Sequence, residues 1–341
     1  MRAFVLTGPR EWVVEQVQAP VAAAGEVVVG VERVGVCGTD VEFFMGEMAY
    51  LHDGHARYPI RLGHEWAGTV SSVGDGVDPR WTGRRVTGDT MLGDGTCRRC
   101  REGRPHVCEH RQEVGVRGSR PGALAEQLAV PASSLHELPD ALDPVLGALV
   151  EPGANALRAA RAAAVAPGGR ALILGPGTIG LLAAMFARAA GAEVHLMGVT
   201  ERSLAFARTL GFEHVWRELE VPELPFDAVI DASTAAHLPG LAIDLVEPGG
   251  RVVYIGLAST ESAIDTRRLV LADVTAVGVL SGSPVLEETI RRYADGSVDP
   301  RPLVAATVGL DAVGAVLAGE RPAGATAGPK IHVDPRADGP A

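Results

Sequence analysis

Two textures divide the chain. Through residues 1–150 apolar and polar positions alternate in short segments such as EVVVGVERVGV (26–36) and AGTVSSVG (67–74). A period of two sends successive side chains to opposite faces of a strand, and the glycines and prolines between segments mark turns. This half therefore reads as irregular all-β structure. From Glu151 the texture changes to Ala-rich helix and short apolar strand in alternation. ALRAARAAA (156–164) is a helix with Pro152 near its first turn, where a missing N–H costs little. RALILGPGTIGLLAAMFARAAGAEVHLMG (170–198) follows as strand, tight glycine turn, helix and strand. FDAVIDAS (226–233), RVVYIGL (251–257) and VTAVGVL (274–280) are further apolar runs separated by helical stretches. Alternation of this kind predicts an α/β fold with a doubly wound parallel sheet. From about Ser281 the pattern loosens, and the terminal PRADGPA (335–341) should fray.

A length of 341 residues allows two domains, each with its own core. The net charge of -11 argues against a nucleic-acid partner, which needs a basic face. No apolar run reaches the roughly 20 residues of a membrane span. The start, MRAFVLTGPREWVVE, lacks the basic and apolar regions of a signal peptide. Three of the four cysteines cluster, which suits reduced metal ligands better than a disulfide framework. The expected compartment is the cytoplasm.

GPGTIG (175–180) fits G-x-G-x-x-G, a weak string in a chain with 42 glycines. Context strengthens it, because the strand ALIL precedes it and a helix follows. Gly175 allows the turn, Gly177 lets a pyrophosphate approach the backbone, and Gly180 lets the helix pack closely on the strand. Pro176, Thr178 and Ile179 complete the loop at a helix N-terminus whose free N–H groups face the phosphates. Enzymes using NAD usually carry Asp or Glu at the end of the second strand to hold the ribose hydroxyls. Here that position is Gly198, with Thr200 and Arg202 close by. Loss of the acid removes repulsion against a 2′-phosphate, and Arg202 could pair with one, which favours NADP over NAD. Glu201 weighs the other way, and Arg202 would equally serve as a solvated helix residue.

Cys37 lies in GVCGTD, His64 and Glu65 in RLGHEWAG, and Glu151 in LVEPGA. A lone Cys or a lone His is more often a packed core residue than a ligand. Together with a cofactor fold these residues supply thiolate, imidazole and carboxylate, the ligand types zinc takes. A second candidate is Cys97, Cys100 and Cys108, spaced C-x2-C-x7-C.

In this order and spacing, CGTD, GHEWAG, the cysteine cluster, LVEP and GPGTIG make the chain resemble the zinc-dependent medium-chain alcohol/polyol dehydrogenases over nearly its whole length. The resemblance implies a GroES-like β-rich catalytic domain (1–150), a Rossmann cofactor-binding domain (151–281) and a return to the catalytic domain (282–341). It implies that Cys37 and His64 bind a catalytic zinc, with Glu65 and Glu151 sharing or exchanging coordination as in the polyol and sugar branch. Thr39 becomes the hydroxyl beside the reacting alcohol and the first step of a proton relay. Glu42 stands at the relay's next position, where a plain surface role fits as well. Gly256 and Leu257 match the turn that contacts nicotinamide. The family's structural zinc uses C-x2-C-x2-C-x7-C. On that spacing Cys97, Cys100 and Cys108 are the second to fourth ligands and the first falls on Asp94. His106 and His110 are alternative donors, and a zinc-free lobe with three reduced thiols is the other reading. Zinc as a Lewis acid would lower the pKa of a bound alcohol before hydride passes to the nicotinamide.

The stretch 42–61 should cross the substrate cleft in this architecture. Its Tyr50, His52, Asp53 and His55 tilt the expectation toward a polyol, sugar or cyclitol, although a surface loop has the same composition. A homodimer or homotetramer is expected. Two other classes stay open: a zinc-free enone or quinone reductase on the same fold, and a non-catalytic nucleotide-binding or structural protein.

Overall fold

A computed structural model describes residues 1–337. Residues 338–341, most of the segment expected to fray, lie outside the described residues, while 335–337 form a turn on Asp334.

The second texture folds into a six-stranded parallel sheet. Its spatial order is His214–Arg217, Glu193–Gly198, Arg170–Leu174, Phe226–Asp231, Val246–Tyr254, Thr275–Gly278. That is the order 3-2-1-4-5-6 of a Rossmann sheet, which opens a crevice where the winding reverses, between the first and fourth strands. Alternation within RALIL explains why the sheet is buried on both faces. Ala171 and Ile173 join one apolar cluster with helices Val150–Ala163 and Thr178–Ala189; Leu172 and Leu174 join another with helix Leu238–Leu245. The third strand, HVWR, was not visible as an apolar run. It is a four-residue edge strand in which only Val215 is buried, so little in its sequence needed to be hydrophobic.

The first texture forms a seven-stranded sheet built around Glu26–Gly35 and Glu65–Val73. Its core collects Phe4, Leu6, Val29, Val31, Leu62, Trp66 and Leu128. The all-β reading of this half missed helix Gly38–Met45. Asp40 starts it by reaching back to the Cys37 N–H, and Gly46 ends it in the left-handed conformation, at φ 80°. The C-terminal arm returns to this sheet: Lys330–Val333 pairs parallel with Val304–Val308 and antiparallel with Glu26–Gly35. Between the two sheets, helix Leu286–Ala294 lies against helix Val150–Ala163, where the Tyr293 hydroxyl donates to the Leu149 carbonyl at 3.2 Å.

Candidate active site and zinc centres

Register brings the first cluster together. In the antiparallel pair Gly35 lies opposite Glu65, so Cys37, two residues beyond the end of one pairing, stands near His64, one residue before the other. Ligand atoms of Cys37, His64 and Glu65 all lie within 4.8 Å of one another. Gly35 is required here, because a Cβ at this position would stand 2.0 Å from the Glu65 Oε2.

Asp40, which sequence reasoning passed over, braces the cluster. It is fully buried, its Oδ2 accepts from the Cys37 N–H at 2.9 Å, and its Oδ1 faces the His64 Nδ1 at 3.7 Å. Neither of the last two atoms has a hydrogen-bond partner. A carboxylate behind one ring nitrogen fixes the tautomer that offers the other nitrogen as a ligand. The clue was present in C-G-T-D, an acid three residues after a cap.

Glu65 is held by Lys330, whose ammonium donates to both carboxylate oxygens, at 2.8 and 2.6 Å, and to the Val36 carbonyl at 2.9 Å. Burial disfavours that ammonium, yet Glu65 and then Cys37 hold its pKa above the ordinary lysine value. Lys330 is the chain's single lysine among 31 basic residues, a compositional signal that the sequence reading did not use.

Glu151 falls outside the group of three. It sits in the first turn of helix Val150–Ala163, accepting from Asn155 Nδ2 at 3.0 Å and Thr90 Oγ1 at 3.4 Å. Burial pushes the carboxyls of Asp40 and Glu151 up. For His64 burial acts downward, but Asp40, Cys37 and Glu151 outweigh it and raise its pKa well above normal. One imidazole and one ammonium thus face three acids and a thiol, so the residues fit a dication. Thr39 and Glu42 lie one turn apart on helix Gly38–Met45, both half-buried, and burial, then Glu47, pushes the Glu42 carboxyl up.

The second cluster is equally compact, with ligand atoms of Asp94, Cys97, Cys100 and Cys108 within 4.8 Å of one another. The Cys97 and Cys108 sulfurs are 3.7 Å apart. Two thiolates on one tetrahedral zinc, with Zn–S bonds of ~2.3 Å, would stand about 3.8 Å apart. Asp94 Oδ1 accepts from the N–H groups of Thr96 and Cys97, and its Oδ2 meets His110 Nδ1 at 3.0 Å. His110 therefore stands behind Asp94 rather than in its place, and His106 is buried outside the group. In a third set, Glu193, His195 and His214, the first two already pair with each other. His195 meets Glu193 through Nε2 at 2.9 Å and accepts from Trp216 through Nδ1 at 3.1 Å, so neither of its own ring nitrogens is left for a metal.

The Rossmann crevice is a cleft of about 510 Å³ lined by Gly175, Pro176, Gly177, Gly198, Thr200 and Arg202, among others. Nothing stands within 4 Å of where a Cβ on Gly177 would be, so the loop leaves that space to a ligand. Of the predicted residues, Thr178, Ile179 and Gly180 do not line it, and Ile179 packs against the apolar core instead. Gly256 and Leu257 border an adjoining cavity of about 290 Å³ that shares Ser233 and Ala235 with the cleft.

Gly198 has a steric cause. A Cβ there would stand 2.7 Å from Pro176 Cγ, so the proline of GPG excludes an acidic side chain. Glu201 turns to Arg208 and Arg217, at 3.3 and 3.1 Å. Arg202 has no partner among the described residues. Arg321, which no sequence signal pointed to, has its pKa lowered by burial and then by the Arg202 charge. One Nη of Arg321 donates to the carbonyls of Thr326 and Gly328, on either side of Ala327 in the cleft wall. The arm then links the two sites: Ala327 and Pro329 line the cleft, and Lys330 grips Glu65.

The polar stretch behaves less simply than its composition suggested. Tyr50 donates to Glu113 at 3.1 Å, accepts from Arg111 and lies under Arg117, with His55 edge-on to its ring. His52 contacts the Gly46 carbonyl, and Asp53 is exposed. Contacts with 111–117 thus account for part of that polarity.

A crevice at the Rossmann switch point, joined by one arm to a cluster of thiol, imidazole and carboxylate, defines a nicotinamide dehydrogenase. Residues 23–140 match the alcohol dehydrogenase GroES-like domain, and 178–295 match the zinc-binding dehydrogenase domain. The chain is 31% identical to L-galactonate-5-dehydrogenase of Escherichia coli over 303 residues, covering 83% of this chain and 84% of that protein. It is 29% identical to L-threonine 3-dehydrogenase of Sinorhizobium fredii over 328 residues, covering 92% and 93%. A solved protein of Sinorhizobium meliloti bound to NADP superposes with a TM-score of 0.88 at 28% identity, covering 98% of this chain and 99% of that one. The chain belongs to the zinc-dependent medium-chain alcohol/polyol dehydrogenase family, and it is an enzyme with NAD(P)-dependent dehydrogenase activity. No helix among the described residues is long and apolar enough to cross a membrane.

Proposed function

We propose that this enzyme reversibly oxidises a secondary alcohol of a polar small molecule, a polyol, sugar or cyclitol, with NADP as the preferred nicotinamide. The observation that carries the reading is the convergence of Cys37, His64 and Glu65 within 4.8 Å beside the arm that walls the cofactor cleft. In this proposal Cys37 and His64 hold a catalytic zinc, with Glu65 or Glu151 as the third protein ligand. Asp94, Cys97, Cys100 and Cys108 close a structural one. When bound, the catalytic ion supplies Lewis acidity that brings an alcohol's pKa toward neutrality.

The chain's own groups supply the rest. Asp40 orients His64, and Lys330 governs how freely Glu65 can leave its pairing. Thr39 accepts the substrate's hydroxyl proton and passes it toward Glu42, whose raised pKa suits proton exchange nearer to neutral pH. The loop of Gly175, Pro176, Gly177, Thr178, Ile179 and Gly180 receives the pyrophosphate at a helix N-terminus, and Gly256 with Leu257 borders the nicotinamide. Arg202 and Arg321, unopposed by an acid at position 198, receive the 2′-phosphate, which supports NADP over NAD. Relatives named for L-galactonate and L-threonine support a polar substrate. The proposal includes a cytoplasmic homodimer or homotetramer, to be read by light scattering.

Metal analysis with a substrate panel tests the reading. The wild type should carry two zinc ions per chain and Cys37→Ser one. The variant should lose alcohol oxidation and keep cofactor binding. Unchanged turnover of polyols, sugars, cyclitols and simple secondary alcohols by Cys37→Ser would remove the metal mechanism.

A further inference from the structure

On the catalytic domain, segments 56–61 and 119–121 stand beside the hairpin of strands Arg2–Gly8 and Glu11–Gln16, and together they enclose a pocket of about 440 Å³. It shares no lining residue with the cofactor cleft or with the Cys37, His64 and Glu65 group. Alternation decides what reaches it. Ile60 and Leu62 turn into the apolar core, so Arg61 between them turns away from it; likewise Phe4 and Leu6 go inward and Val5 lines the pocket. Arg57 and Arg120 join Arg61 in the lining, and Glu15 is the single acid there.

Arg61 is the unusual member. Its Nε is buried without a hydrogen-bond partner, and among the described residues no acceptor is bonded to its guanidinium. Burial pushes its pKa down to about 10, and no carboxylate, Glu15 included, offsets the effect. Arg120 differs, since Glu26 holds one of its Nη atoms at 2.7 Å. A desolvated cation without a counter-charge is costly, and a planar guanidinium matches the paired oxygens of a carboxylate or phosphate.

We propose that this pocket binds a small oxyanion, of phosphate or carboxylate type, received by Arg61 with Arg57 and Arg120 alongside. An occupant would touch the segment that leads three residues later to His64. In the same pocket wall, Tyr58 donates its hydroxyl to the Phe43 carbonyl, on the helix that begins after Cys37.

Thermal unfolding of the protein saturated with its nicotinamide cofactor, which fills the cofactor's own phosphate contacts, tests this. Inorganic phosphate, citrate and chloride are titrated at matched ionic strength, so that the first two arms separate the anion types. A saturable rise in Tm of about 2 °C or more is expected with phosphate or citrate and none with chloride. Arg61→Met should abolish the rise while starting from a Tm at or above that of the wild type without anion, because a desolvated charge has been removed. Arg57→Gln, at an exposed position, should shift the anion midpoint about threefold. No saturable rise in the wild type, an equal rise in Arg61→Met, or an unmoved midpoint in Arg57→Gln would overturn the proposal.

Discussion

Replacing Lys330 with methionine keeps an unbranched side chain and removes the only cation that touches Glu65 among the described residues. The pair is almost wholly buried, with the two side chains 3% and 1% exposed, and the ammonium serves three oxygens between 2.6 and 2.9 Å. Truncating one partner of such a pair strands the other charge in a medium that solvates it poorly, which costs about 3–5 kcal/mol. For a domain of this size each kcal/mol lowers Tm by about 2–4 °C, so Lys330→Met should unfold about 10 °C early. The assay is denaturant and thermal unfolding of metal-stripped protein, followed by tryptophan fluorescence. Three of the four tryptophans, Trp12, Trp66 and Trp81, lie in the domain affected. Glu65→Gln alone should also destabilise, because it leaves the ammonium unpaired. The double variant should recover about 2–3 kcal/mol of the summed losses, the mark of direct coupling. A loss below about 1 kcal/mol for Lys330→Met, or strict additivity in the double variant, would refute the reasoning.

Other consequences follow from the same geometry. Arg202→Ala and Arg321→Ala should each weaken NADPH binding about tenfold while leaving NADH within about twofold by calorimetry. Equal weakening of both cofactors would mean that Arg321 only staples its loop, and tighter NADH binding by the wild type would refute the Gly198 argument. His332 is fully buried with neither ring nitrogen bonded, and burial, then Lys330 and Arg33, pushes its pKa down to about 3. Below the ordinary histidine pKa of about 6.5 the unfolded chain takes up a proton that the folded chain declines. Stability should therefore fall by up to about 1.4 kcal/mol per pH unit as pH drops from about 6.5 toward 3. His332→Leu should flatten that slope, and an unaltered pH dependence of unfolding would count against it.

What the sequence alone determined was chemistry confined to short stretches of chain. Strand, turn and helix across 170–198 were legible because burial on both sheet faces demands continuous apolar runs. The grouping of Asp94 with the cysteines at 97–108 was legible because all four residues come from one short stretch of chain. Cys37, His64, Glu65 and Glu151 were found one motif at a time. Tertiary structure decided what those motifs meet. Glu65 meets Lys330 across 265 positions, through the pairing of the C-terminal strand with Glu26–Gly35, and no periodicity carries such a contact. The same return brings Ala327 and Pro329 to the cleft wall, with Arg321 holding the carbonyls on either side of Ala327, and Pro176 bars an acid from position 198 only because two strands place them side by side. Edge strand His214–Arg217 stayed hidden because one buried valine suffices there. Hydrophobic patterning records which face of an element is buried; which element buries it, and which charges thereby lose water, follows from the packing of the whole chain.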